Sequence, residues 1–173
     1  MPDKGLFLME MTATQLLFVL ALLLTVTAAG FDVARYRIPN WVVISLITIF
    51  VGVCATAGLS LSAIGLHLLI AALVLAACFG MFAAGWLGAG DGKLLAVLAL
   101  VIGPSGIAPL LFTTAYAGGA LAILVSMLAT RAVPVWLEGV GIAGGYRIGM
   151  KRVPYGVAIA AGAGAALIPM ILR

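Results

Sequence analysis

The chain has 173 residues, of which 65% are hydrophobic and only 8% charged, and it carries a net charge of +4. Soluble domains carry about a quarter charged residues, so a mean hydropathy of +1.33 excludes that class and points to a polytopic membrane protein. The pI near 9.4 follows from nine lysines and arginines against five acidic residues. The basic residues fall mostly in alternate connections of a hydrophobic chain and give no reason to expect nucleic acid as a partner.

The apolar runs predict an all-α membrane bundle of about six transmembrane helices forming a single membrane-embedded domain over residues 1–173. The first span covers residues 12–30, the second 41–57 and the third 62–86. A short fourth covers 90–103, where Gly103-Pro104-Ser105-Gly106 breaks it; the fifth covers 107–129 and the sixth 154–172. About 14 residues at 1.5 Å each fall short of the hydrocarbon thickness. The fourth helix is therefore expected either to start inside the membrane or to continue past the Gly-Pro break. Gly is frequent, at 22 residues, and the stretch 156–164 reads as a small-residue packing face of the kind lipid-embedded helices use.

Charge orients the bundle. Arg35, Arg37, Lys93, Arg131, Arg147, Lys151 and Arg152 fall in alternate connections, and only Lys4 and Arg173 fall on the other side. Seven basic residues against two place the first side in the cytoplasm, with the amino terminus outside. Lys4, an apolar run and Thr27-Ala28-Ala29-Gly30 resemble a secretory signal. The basic residues follow the run instead of preceding it, which favours an uncleaved first span. Cys54 and Cys78 lie within apolar spans without a Cys-x-x-Cys spacing and read as small core residues, and no metal site is visible. His67 falls in the outward half of the third span and reads as a packed, hydrogen-bonded histidine. The connection 131–152, with Trp136, Glu138 and Tyr146, reads as an interfacial segment whose basic side chains favour anionic headgroups.

Only five residues are acidic, and two of them, Asp32 and Asp91, fall at span ends on the cytoplasmic side. An ionisable group at such a depth is costly and is a functional hypothesis whose partner is to be named; here each aspartate is the other's natural partner. Packing of the first span beside the fourth would bring them together. Two close carboxylates hold one proton between them: the ionised member activates water against a peptide carbonyl and the protonated one donates to the carbonyl oxygen, without a cofactor. Asp91 opens a helix and Asp32 closes one, so the helix dipoles favour charge on Asp91. Simpler readings make Asp91 an N-cap and pair Asp32 with Arg35 or Arg37. Neither explains Gly88, Gly90 and Gly92, which strip side chains from around Asp91 as if for the close approach of another backbone.

These residues resemble a known family. Gly88-Ala89-Gly90-Asp91 matches the GxGD signature of intramembrane aspartyl proteases, and its continuation through Gly92, Lys93 and Leu94 matches the form found in prepilin peptidases. Asp32, followed by Arg37 and Ile38-Pro39-Asn40, resembles that family's first block, and Pro154-Tyr155-Gly156 its carboxyl-terminal block. The resemblance implies a type IV prepilin leader peptidase in the bacterial cytoplasmic membrane. It would cut the basic leaders of pilin and pseudopilin precursors at the cytoplasmic face, with Asp32 and Asp91 as the catalytic pair and the other motif residues in support. Larger members carry a long loop with zinc-binding cysteines and also methylate the new amino terminus. Here the connection is about ten residues without cysteine, so the chain resembles the short CpaA/TadV-like form of Flp-type pilus systems, and methyltransferase activity is not expected. The rival function is a small proton- or cation-coupled transporter using Asp32 and Asp91. It predicts polar residues through the full depth, and the outward half carries little beyond His67 and scattered Ser and Thr.

Overall fold

The computed structural model describes residues 12–129 and 153–173, and among these the chain is all-helical, with six helices. They are α1 Ala13–Arg35, α2 Asn40–Thr56, α3 Leu61–Ala83, α4 Ala89–Ile102, α5 Ile107–Ala129 and α6 Tyr155–Ile171. Three of them, α1, α3 and α5, are long and apolar enough to cross a membrane, while α2 and α6 are shorter apolar helices of 17 residues. Asp3, Lys4 and Glu10 lie outside the described residues, as does the connection 131–152 with its Arg131, Trp136, Glu138, Tyr146, Arg147, Lys151 and Arg152.

Local chemistry sets the boundaries. Thr12 and Gln15 form a reciprocal capping box at the start of α1. Nothing stops this helix at Gly30, and it runs on to Arg35, so the expected end at residue 30 is corrected by one and a half turns. Tyr36 then turns the chain in the left-handed region, at φ 50°, with its amide on the Asp32 carbonyl at 2.8 Å. Ile38 precedes a proline, which disfavours helix, and Pro39 occupies the N-cap of α2. Ser60 caps α3 by accepting from the Ala63 amide at 3.2 Å. Gly85, at φ 76°, turns the chain between α3 and α4.

The core sits around α4. Its residues from Ala96 to Ile102 are all buried, together with Gly92 and Leu94. The helix is short because it lies inside the bundle and does not continue past Gly103, whose φ of 65° and ψ of −160° end it. It packs mainly against α3 and α2 and, less extensively, α6. A second group is formed by α6 lying between α1 and α5. Small residues allow this: a side chain at Gly162 would run into Thr114 and the Leu110 carbonyl. Cys78 is buried where Gly92 lets α3 and α4 close, as expected of a small core residue, and Cys54 is partly buried. The outer surface is apolar: Leu23, Val26, Ile44, Val51, Leu73, Phe79, Phe112 and Ile123 are all exposed, the arrangement that suits lipid.

Candidate active site

Both aspartates lie at one end of the bundle. Asp32 is in the last turn of α1 and Asp91 in the first turn of α4, and α6 begins at the same level, its Gly156 meeting Asp32. At the other end, Gln15 of α1 bonds the Ile171 carbonyl of α6 at 2.9 Å and Thr14 bonds Thr56 of α2 at 2.9 Å. His67 lies towards that far end, as expected. It is buried, its ring 5.5 Å from that of Phe50, and its Nδ1 is 2.7 Å from the Leu100 carbonyl. That carbonyl would normally accept from the amide of residue 104, which is Pro104 and has none. His67 therefore supplies the missing donor, which fixes the proton on Nδ1.

Asp32 is 6% exposed, and its Oδ2 accepts the Gly156 amide at 2.8 Å. Its neighbours Arg35 and Arg37 do other things. Arg35 stands over the Phe31 ring, 5.7 Å from its centre, and Phe31 meets Trp41 edge-on at 6.2 Å. Arg37 lines the cavity described below. Asp91 is the third residue of α4 and not its N-cap, which is Gly88. Its carboxylate folds back on the helix start and accepts the Gly88 amide, so it does help cap α4 from within. Gly88 is required for this, because a Cβ there would sit 2.6 Å from Asp91 Oδ2.

The two carboxylates interact electrostatically and line one cavity of about 850 Å³. The expected packing of the first span beside the fourth does not bring them there. The principal neighbours of α1 are α6 and α2, and those of α4 are α3 and α2. The aspartates meet because α2 and α6 each bridge the two helices, and because Ile38, leading into α2, packs on Gly90 at 3.4 Å from its Cβ position. The dipole argument changes as well. Asp32 closes α1, but it also faces the amino-terminal amides of α6, so helix ends no longer separate the two aspartates.

Of the other residues singled out in the sequence, Arg37, Asn40, Gly88, Gly90, Lys93 and Tyr155 line the cavity. Gly92 does not; it faces α3, with Cys78 Cβ 3.0 Å from its Cβ position. Pro39 and Pro154 are the N-caps of α2 and α6, and Gly156 reaches the site through its amide alone. The glycines around Asp91 thus accommodate the protein's own groups: the Asp91 carboxylate at Gly88, Ile38 at Gly90 and Cys78 at Gly92. The cavity also takes in Tyr36, Phe82, Trp86 and Ala122, which the motifs did not mark. A signal for Trp86 was present, since an exposed tryptophan directly before a glycine-rich helix start is a typical interfacial residue. Burial, and then the charge of Asp32, push the Tyr36 phenol above its usual range.

Sequence comparison bears on the same residues. A sequence model described as the type IV leader peptidase family matches residues 17–123, a stretch that includes both aspartates and stops before α6. Comparison with curated proteins and with solved structures gave no match. A family match over more than half of the chain, on an all-helical bundle with three helices able to cross a membrane, identifies this chain as a member of the type IV leader peptidase family.

Proposed function

We propose that this chain is an aspartic endopeptidase that removes the leaders of pilin-like precursors at the cytoplasmic face of the bacterial inner membrane. The observation that carries the reading is the meeting of Asp32 and Asp91, from helices that are not principal neighbours, in one cavity at one end of the bundle. Sharing one proton, the pair performs both halves of peptide hydrolysis. One carboxylate takes a proton from water as its oxygen attacks the scissile carbonyl; the other donates to the carbonyl oxygen, and the amine leaves protonated as the tetrahedral intermediate collapses. The basic residues Arg35, Arg37 and Lys93 lie at the same end as the aspartates, which supports a cytoplasmic orientation. A cavity of this size falls within the range of preformed small-ligand sites and suits a short peptide segment.

The substrates on this reading are pilin and pseudopilin precursors, presented from the lipid bilayer. Residues 36–39, which join α1 to α2, include no cysteine, and this supports a peptidase without the zinc loop and without methyltransferase activity. The test is co-expression with a candidate precursor in cells, read as a change in precursor size. Cleavage by the wild-type chain and its loss in Asp32→Asn and Asp91→Asn, both inserted at normal levels, is the expected result. Cleavage that survives both substitutions refutes the reading, and proton or cation transport that depends on the two aspartates, without cleavage, replaces it with the transporter.

A further inference from the structure

Asp32 stands on the last turn of α1, and a carboxylate there has two side-chain torsions to settle. What fixes it comes from α6, beyond the segment matched to the family. We propose that Tyr155 and Gly156 form a latch that positions Asp32, with Gly118 of α5 as its seat. The inference rests on the peptidase reading for its catalytic consequence, not for its geometry.

Gly156 is in the first turn of α6, where backbone amides have no partner within the helix. Its amide meets Asp32 Oδ2 at 2.8 Å. The approach is close: a Cβ on Gly156 would lie 2.9 Å from Asp32 Cβ and 3.2 Å from the Ala29 Cα. The amide is therefore where it is because the helix start is where it is. Pro154, buried at the N-cap, restricts the entry of the chain. Tyr155 fixes it from the opposite side. Its ring lies across α5 at Gly118, where a Cβ would be 2.6 Å from Cε1 and 2.7 Å from both Cζ and the hydroxyl oxygen. Only a glycine leaves that seat open in a close-packed interface. One turn earlier on α5, Thr114 meets Gly162 of α6, so the two helices are joined at more than one point. Tyr155 and Gly156 are adjacent on one turn, so displacing the ring moves the amide, and the Asp32 carboxylate loses its fixed orientation.

The test uses the full chain, labelled with ¹⁵N-glycine, in detergent micelles, with the Gly156 amide signal identified by its absence in Gly156→Ala. That signal is expected to shift when Asp32→Asn replaces the carboxyl acceptor. Tyr155→Ala, which empties the seat, and Gly118→Ala, which fills it, are expected to shift it in the same direction. Tyr155→Phe keeps the ring and is expected to leave it in place. A Gly156 signal unmoved by Tyr155→Ala, or insensitive to Asp32→Asn, overturns the latch. With a precursor that the wild-type chain cleaves, Gly118→Ala, which lies outside the cavity lining, is expected to lower kcat on the order of 100-fold, as misplacing a reacting group does. KM is expected to stay within about twofold, because a positioning group acts on the chemical step; a fall in affinity with kcat preserved also overturns it. If the wild-type chain cleaves no precursor, the peptidase reading fails on its own, and the glycine signals still decide the latch.

Discussion

His67 offers a sharp test of how the far end of the bundle is held. Replacing it with phenylalanine keeps a ring of similar size against Phe50 but removes the donor that the Leu100 carbonyl receives at 2.7 Å. That carbonyl has no helical partner, because residue 104 is proline, and Leu100 is 9% exposed. A buried acceptor left unpaired costs about 1–3 kcal/mol, whereas polar pairs inside lipid-embedded bundles average about 0.6 kcal/mol and reach about 1.7. The two ranges overlap, and His67→Phe is expected to lower stability by about 1–2 kcal/mol. Reversible unfolding in mixed detergent micelles measures it. Equal or greater stability in the variant refutes the reasoning. Since His67 lies away from the aspartates, activity per folded molecule is expected to be unchanged, and its loss would argue for a proton-relay role instead.

Three further outcomes are expected. Gly103→Ala puts a side chain where the backbone, at φ 65° and ψ −160°, admits essentially only glycine and where the His67 ring already lies. Strain of about 1–3 kcal/mol and overpacking of about 1–3 kcal/mol both apply, and a measured loss under about 1 kcal/mol contradicts this account. Gly156→Ala forces α6 away from Asp32 and the Ala29 backbone and is expected to reduce kcat on the order of 100-fold; a change confined to KM argues against it. The pH profile of kcat on a cleaved precursor is expected to be bell-shaped. Activity falls on the acid side as both carboxyls of the pair become protonated, leaving no base, and on the alkaline side as both ionise, leaving no acid. A profile with a single limb counts against a shared proton.

The helices were legible in the sequence because long apolar runs between Gly, Pro and charged residues leave few alternatives in lipid. The exceptions follow from packing. The end of α1 was misjudged by its glycine, since Gly30 is tolerated within a helix and Pro39 is the real obstacle to its continuing. The short α4 was legible at its Gly103-Pro104 end, but its burial on nearly all sides was not, since only its neighbours show it. At the site, Asp32 and Asp91 stood out because carboxylates are rare in such a chain. That they meet through α2 and α6 was not legible, because helix adjacency is set by which small residues face which neighbours. The role of Gly156 was equally hidden: it contributes an amide, which every residue except proline has, and only the close approach of α1 gives it meaning.

The central claim is that Asp32 and Asp91 act as one catalytic pair, and the most direct measurement is the rate of precursor cleavage by purified wild-type, Asp32→Asn, Asp91→Asn and double-variant chains in micelles. Groups that act as a unit are strongly non-additive. Each single variant is therefore expected to lose nearly as much rate as the double variant, while all still bind the precursor. Losses that multiply in the double variant, or a single variant that retains most of the wild-type rate, would contradict it.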